Sequence, residues 1–424
     1  MTDFTDLILL VGTNPLPNYV VAEYFLSQDN SIRKIWLVCS EKTNYQAGTE
    51  ELAVNLKALL DQKHSSIEYG FVYISDISNA KAISQKVNEE LIAKVQDGAQ
   101  VHLNYTGGTK VMVNHIYRTI ERVERLKTTP ESFSYLDARN FCILSDTGTV
   151  IAGDLHDKVR ISFEDLINLH GFERKNKYSK SIFTDAISAF KELIDSDCLG
   201  KYFDVNDQGY NRKLFLNKKG SLAEKLNNLI DENKEILRKY NCNDSLKKVM
   251  VAMPEDCKLF KFDNGCNLNE NIGKKFEKTI KFIDGRWFEE YVYEILIKKL
   301  IDKIEKEYIS MNWEIRKPEE NWNGITFELD VILMNGYQLI GISCTTDDNA
   351  YAKNKGFEIM LRTRQIGGDE AKAVLLTMAS SSVVDKLQKQ LRLETGGSDN
   401  ILVLGYEHLK EDILFDKIDN FIKQ

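Results

Sequence analysis

The sequence predicts an α/β protein in three parts. Residues 1–155 read as a Rossmann-like, doubly wound domain, 156–275 as a mostly helical connector, and 276–424 as a second α/β unit. Two patterns carry this. In the first part, short apolar runs alternate with amphipathic stretches of helical period, as in a parallel sheet covered on both faces. In the last part a helix precedes a three-strand meander, and then helix and strand alternate. The length agrees, because 424 residues at about 150 per domain make two or three cores.

The first strand is the apolar run 7–11, which stops at Gly12. Runs 35–39, 71–74 and 101–105 follow, the last apolar apart from His102 and Asn104. Between them, 19–27, 49–62, 80–95 and 111–123 have helical period. Segments 132–136, 141–144 and 149–152, separated by turn residues, read as antiparallel strands closing one edge. In the connector, 184–193 and 221–240 are helical by period. Ser221 and Glu224 form an S-x-x-E capping box for the second. The polar stretch 206–219 reads as a loop or short hairpin. The last unit opens with a helix over 285–304, followed by strands 313–316, 327–334 and 337–344. Asn335-Gly336 is the two-residue hairpin signal joining the last two. A helix over 355–365 stops at Gly367-Gly368. Strand 373–377, helix 383–395, strand 401–404 and a closing helix complete the chain.

Apolar residues at 43% and charged residues at 28% exclude a collagen, a disordered chain and a disulfide-stapled miniprotein. The net charge of −8 provides no global basic field, so a polyanion would need local basic patches. The seven cysteines, odd in number and without a CxxC pair, read as reduced thiols in the cytoplasm. The six histidines form no HxxH or HExxH, which argues against zinc chemistry. The acidic start, with an apolar run of only five residues, reads as neither signal peptide nor anchor. No 18-residue apolar run follows, so no membrane partner is expected.

Two turns lie at the carboxyl ends of predicted parallel strands, the edge where open sheets bind ligands. One is Gly12-Thr13-Asn14-Pro15. The other is Asn104-Tyr105-Thr106-Gly107-Gly108-Thr109-Lys110, which opens a helix. Glycine lets the backbone approach a phosphate, and amides at a helix start favour anions. Thr106 and Thr109 add hydroxyls, and Lys110 a charge. No GxGxxG follows the first strand, and GGTK lacks the Walker spacing. Ser40, at the end of the second strand, is counted with the candidate ligand residues.

The GTNP turn and the NYTGGTK loop resemble the two ligand motifs of CARF domains, the sensor modules of type III CRISPR defence. The resemblance covers residues 1 to 155. It implies a homodimer with a cyclic oligoadenylate in a two-fold groove. That groove would be lined by Gly12, Thr13, Asn14 and Pro15 and by Thr106, Gly107, Gly108, Thr109 and Lys110. Two-fold symmetry points to the cyclic tetra-adenylate.

The last unit carries GRWFEEY from Gly285, FELDV from Phe327 and ISCTT from Ile342. With the intervening meander, this order resembles the PD-(D/E)xK nuclease core, a restriction-endonuclease-like fold that cleaves phosphodiesters with Mn²⁺ or Mg²⁺. Strand alternation puts Glu328 and Asp330 on one face, and Asp330 is the leading metal ligand. Helical spacing turns Glu289 toward the core beside Val292 and Leu296, whereas Glu290 reads as the more exposed. The usual Glu and Lys of the ExK strand are replaced by Ser343 and Thr345. Lys355, Glu358, Arg362 and Gln365 share one face of the next helix and offer migrated groups.

The expected protein is a cyclic-oligoadenylate-activated nuclease cutting RNA, DNA or both. Its catalytic candidates are Glu289, Glu328, Asp330, Lys355 and Glu358, and its metal candidates Glu289, Asp330 and Glu358. The alternative is a non-catalytic sensor with a degenerate nuclease fold. A third option, degradation of the ligand by the first domain, rests only on the hydroxyls of Thr13, Thr106 and Thr109.

Overall fold

The computed structural model describes residues 4–28, 31–44, 47–176, 181–204, 243–262, 267–269, 272, 275–300, 308–318, 327–347, 350–397 and 399–423. The expected loop over 206–219, the helix over 221–240 and the end of the 285–304 helix beyond Leu300 lie outside these residues.

The first sheet has seven strands: β1 (Asp6–Leu10), β2 (Lys34–Ser40), β3 (Glu68–Ile74), β4 (Val101–Asn104), β5 (Phe133–Asp137), β6 (Cys142–Ser145) and β7 (Val150–Ala152). Their order is β3-β2-β1-β4-β5-β6-β7, so the winding reverses between β1 and β4. All five residues of β1 are buried, which is why it reads as a continuous apolar run. The crossovers are α1 (Leu16–Gln28), α2 (Glu50–Lys63), α3 (Ala80–Glu90) and α4 (Lys110–Glu121). The expected helix over 80–95 ends at Glu90, and a 3₁₀ turn, Ile92–Lys94, follows. The expected antiparallel edge starts one strand late. β5 still runs parallel to β4, and only β6 and β7 are antiparallel.

The chain then passes through α5 (Leu155–Lys158) and α6 (Phe163–Leu169) to β8 (Glu173–Arg174). α7 (Thr184–Asp195), α8 (Leu199–Phe203), α9 (Asp244–Val251), the ribbon of β9 (Phe260–Lys261) and β10 (Asn267–Leu268), and α10 (Phe276–Lys281) come next. A π-helical turn, Phe282–Arg286, joins α10 to α11 (Trp287–Leu300).

The second sheet contains β8, β11 (Ile309–Arg316), β12 (Phe327–Asn335), β13 (Gln338–Cys344), β14 (Lys372–Leu376) and β15 (Ile401–Leu404), ordered β15-β14-β13-β12-β11-β8. Helices α12 (Ala350–Gly367), α13 (Ser381–Glu394) and α14 (Glu411–Lys423) alternate with its last strands. The β12–β13 turn sits one residue later than expected. Asn335 pairs with Gln338, and Gly336 at φ 62° takes the first turn position. That conformation suits a type II′ turn, in which glycine comes first.

One apolar core lies under both sheets. Leu9 and Tyr19 of the first unit share it with Leu166 of α6, Trp313 of β11, Leu339 of β13 and Ile359 of α12. The outer face of the first sheet packs on α3 and α4. The outer face of the second packs on α7, α10, α11 and α14. No described helix is long and apolar enough to cross a membrane.

Trp287 anchors that last layer. It is fully buried and stacks on Phe190 with ring centroids 3.9 Å apart. Its indole Nε1 has no hydrogen-bond partner among the described residues. Trp287→Ala should therefore cost about 3–5 kcal/mol. Trp287→Phe, which keeps a stacked ring and removes an unpaired donor, should cost much less. Urea unfolding of the two variants checks both values.

Candidate functional site

Two places gather the residues the sequence singles out. The first is the carboxyl edge of the first sheet, where the winding reverses between β1 and β4. Glycine lets the two turns there touch. A Cβ on Gly107 would stand 2.0 Å from the Leu10 carbonyl oxygen, and one on Gly12 would stand 3.1 Å from the Gly108 nitrogen. Gly108 also has φ +81°, which disfavours any side chain. Thr109 caps α4, its Oγ1 accepting from the Met112 amide at 3.2 Å. The first amides of a helix have no partner within it, so those of α4 supply donors at the crest. Thr13, Thr109 and Lys110 are exposed there, and Gly12, Gly107 and Gly108 are half-buried.

The other candidate ligand residues face inward and build the crest. The Thr106 hydroxyl donates to Asn104 Oδ1 and accepts from the Leu136 amide, both at 2.7 Å. Asn14 Oδ1 accepts from the Leu16 amide at 3.0 Å and lies 3.3 Å from His170 Nε2. Pro15 is buried. Ser40 is buried against Thr49, whose hydroxyl accepts from the Ser40 amide at 3.0 Å and donates to the Val11 carbonyl at 2.9 Å.

Two supporting residues, His102 and Ser134, lie outside both turn motifs. Asn104 Nδ2 donates to Ser134 Oγ at 3.0 Å, and Ser134 Oγ lies 2.7 Å from His102 Nε2. Burial pushes His102 down to about 4, so it is neutral at pH 7. The signal for this network was available: two polar side chains in an otherwise apolar strand.

The second place is a cavity of about 130 Å³ lined by Glu328, Leu329, Asp330, Ser343, Lys355, Glu358, Ile359 and Arg362. Asp330 Oδ2 accepts from Ser343 Oγ at 3.0 Å and from the Cys344 amide at 2.7 Å. Burial raises the Asp330 carboxyl above the usual range, and those two bonds pull it partly back. Glu289 is raised well above the usual range by burial and by the charges of Asp330 and Glu328. Glu328 stands at the rim, opposite Glu314 on β11. Burial and then the Asp330 and Glu314 charges raise it. Burial pulls Lys355 down, yet the Glu358 hydrogen bond at 3.0 Å and the nearby Asp330 charge hold it above the ordinary lysine value.

Met311 and Trp313 of β11 pair with Val331 and Leu329, so Asn312 between them lies across from Asp330, and it has φ +53°. With its amide oriented to satisfy both atoms, Asn312 donates to Glu289 Oε2 at 2.7 Å and accepts from Arg286 at 3.3 Å. Glu290, expected on the exposed side of α11, is only 6% exposed and pairs with Arg286 at 3.2 Å. The helical layer of the middle segment covers that side of α11, which the sequence pattern of the helix alone does not reveal.

Hard carboxylate oxygens are the donors Mg²⁺ and Mn²⁺ prefer, and Mg²⁺ needs only one or two because it keeps several waters. Asp330 in the cavity, and Glu289, which does not line it but is raised by the Asp330 charge, are donors of the kind that suits such an ion. Glu358 is turned toward Lys355. Among the described residues no three His, Cys, Asp or Glu side chains stand close enough together to hold one ion.

Residues 7–128 match the protein-family profile described as the Card1 CARF domain. The first sheet is thus a CARF sheet, as its two turns led us to expect. No curated protein sequence matches the chain. Among solved structures, Can2 from Sulfobacillus thermosulfidooxidans, determined in complex with cyclic tetra-adenylate, is similar over 99% of this chain and 99% of its own. Its identity is 16% and its TM-score 0.59. Protein VC1899 from Vibrio cholerae is similar over 98% of each chain, with 16% identity and a TM-score of 0.62. At such identity the likeness is one of fold, and it runs from end to end.

The raised Glu289 carboxyl has a consequence for stability. The folded chain holds this proton more tightly than the unfolded one, so stability falls as pH rises from about 4.5 toward the folded value. Glu289→Gln removes that penalty. In chelator, its melting temperature should exceed the wild type by a few degrees at pH 8, and the gap should close near pH 4. A gap that is constant with pH would contradict this origin.

Proposed function

We propose that this chain is a cytoplasmic, cyclic-oligoadenylate-activated, metal-dependent nuclease of CRISPR defence, acting as a homodimer on RNA, DNA or both. The observation that carries this reading is the pairing of a CARF crest with a carboxylate cavity in one chain. The ligand is inferred from the CARF match and from the cyclic tetra-adenylate in the Can2 neighbour.

In the dimer, two crests meet across a two-fold axis, a symmetry that a ring of four phosphates can share. The α4 amides, Thr109, Thr13 and Lys110 take the phosphates, while Gly12, Gly107 and Gly108 keep the backbone close to them. Asn14, Pro15, Ser40 and Thr106 hold the two turns in shape from beneath.

The crest reaches the cavity through one helix. A Cβ on Gly368, just past α12, would stand 2.5 Å from Asn14 Nδ2, so the GTNP turn abuts that helix end. The same helix carries Lys355, Glu358 and Arg362 into the cavity. A ligand that prefers one position of the turn therefore biases the position of α12. It does so only by its difference in affinity for the two arrangements.

At the cavity, Asp330 and Glu289, joined by Glu358 as α12 moves, would hold Mn²⁺ or Mg²⁺. When bound, such an ion polarises the phosphodiester and lowers the pKa of attacking water. Ser343 and the Cys344 amide fix one oxygen of Asp330 and leave the other free. Asn312 fixes Glu289 in the same way. Lys355 offsets charge on the phosphoryl group in transfer, and Glu328 at the rim shares the acidic field.

A second reading, a sensor without catalysis, draws on Ser343 and Thr345. Ser343 is bonded to Asp330, and the Thr345 hydroxyl accepts from the Asp347 amide at 3.2 Å, so neither replaces the missing Glu and Lys chemically. Labelled RNA and DNA, Mn²⁺ and cyclic tetra-adenylate distinguish the two readings. The nuclease reading expects ligand-stimulated cleavage that falls to background in Asp330→Ala, with ligand affinity unchanged. Tight nucleic-acid binding without cleavage by the wild type would favour the sensor.

A further inference from the structure

We propose that Arg362 seats the substrate phosphate in the cavity, a reading that rests on the nuclease assignment above. Its guanidinium lines the cavity that Asp330 and Lys355 share. It stacks over the Phe327 ring, 5.0 Å from the centroid, which restrains its plane. Its Nη1 donates to the neutral Gln365 Oε1 at 3.2 Å, and its buried Nε has no partner among the described residues. On the same helix Arg364 bonds Asp369 at 2.7 Å, and Lys355 bonds Glu358 at 3.0 Å. Arg362 has no carboxylate within 4 Å among the described residues, although Glu328, Asp330 and Glu358 line the same cavity.

Electrostatics gives this arrangement a purpose. Three carboxylates repel a phosphodiester, and Lys355 is already answered by Glu358. Arg362 is the cation of the cavity whose charge is not answered by a bonded acid. A guanidinium fork matches two phosphate oxygens at once, a geometry an ammonium cannot offer. Held in plane by Phe327, the fork takes the two non-bridging oxygens of the phosphodiester and turns its phosphorus toward Asp330. Arg362 thus touches substrate. Its seat on α12 makes substrate binding depend on the same helix that meets the ligand turn.

The test uses the full chain with cyclic tetra-adenylate and compares Arg362→Gln, Arg362→Lys and the control Arg364→Gln. Binding of labelled single-stranded DNA and RNA is measured in chelator over a range of salt, and cleavage is measured separately with Mn²⁺. Arg362→Gln should flatten the plot of log affinity against log salt by about 0.7, the value for one lost phosphate contact on a single strand. It should also raise KM by about tenfold or more. Arg362→Lys, which keeps the stem over Phe327, should retain the salt slope but not the wild-type cleavage rate. Arg364→Gln should change neither.

An unchanged slope and KM in Arg362→Gln, with a wild type that cleaves, would overturn the phosphate seat and leave the nuclease reading standing. A flattened slope with a wild type that binds but never cleaves would support the seat and overturn the nuclease reading. Arg362→Lys with the slope of Arg362→Gln would place the charge elsewhere and also overturn the seat.

Discussion

The apolar core shared by the two sheets is the constraint on which the rest of this molecule depends. Leu166 of α6 and Ile359 of α12 belong to the same packed cluster as Leu9 and Tyr19 of the first unit. Protein interiors pack as densely as organic crystals, so elements sharing a core shift together or between discrete arrangements. α12 lies at this junction. One end meets Asn14 of the GTNP turn, and its body lines the carboxylate cavity. The crest and the cavity are thus joined through one helix.

At the cavity, the chain keeps charges where they cost stability. Glu289 and Asp330 are desolvated, the Asp330 charge raises Glu289 further, and Asn312 of β11 is a non-glycine residue at positive φ. Neither feature improves packing. Asn312 and Ser343 hold these two carboxylates by hydrogen bonds, and local stability losses of this kind are ones that functional sites tolerate. Arg362 follows the same pattern, a cation left without an acid beside three of them.

Much of this was legible from local pattern. The first sheet announces itself because parallel strands buried on both faces leave continuous apolar runs. Gly107 and Gly108 announce a close approach because no other residue fits there. Asp330 stands out as a carboxylate in an apolar strand. What the sequence concealed depends on partners distant along the chain. Glu290 looked exposed because the layer that buries it lies in the middle segment. Thr106 and Ser40 carry bonds that a motif does not show: the Thr106 hydroxyl accepts from the Leu136 amide of β5, and Ser40 packs on Thr49 at the start of α2. β8 is two residues long and has no period to read, and the positive φ of Asn312 leaves no trace in strand alternation. Ser343 looked like a lost acid. In the fold it is a hydroxyl that orients Asp330.

On the proposed function, two copies of this chain jointly clasp one cyclic tetra-adenylate at their Thr- and Gly-rich helix entrances. Calorimetric titration of that ring into the wild-type chain, with sedimentation of the same samples, tests it most directly. Saturation at one ring per two chains and a dimer in solution are expected. Absence of binding heat together with a solitary chain, or saturation at one ring per chain, would contradict it.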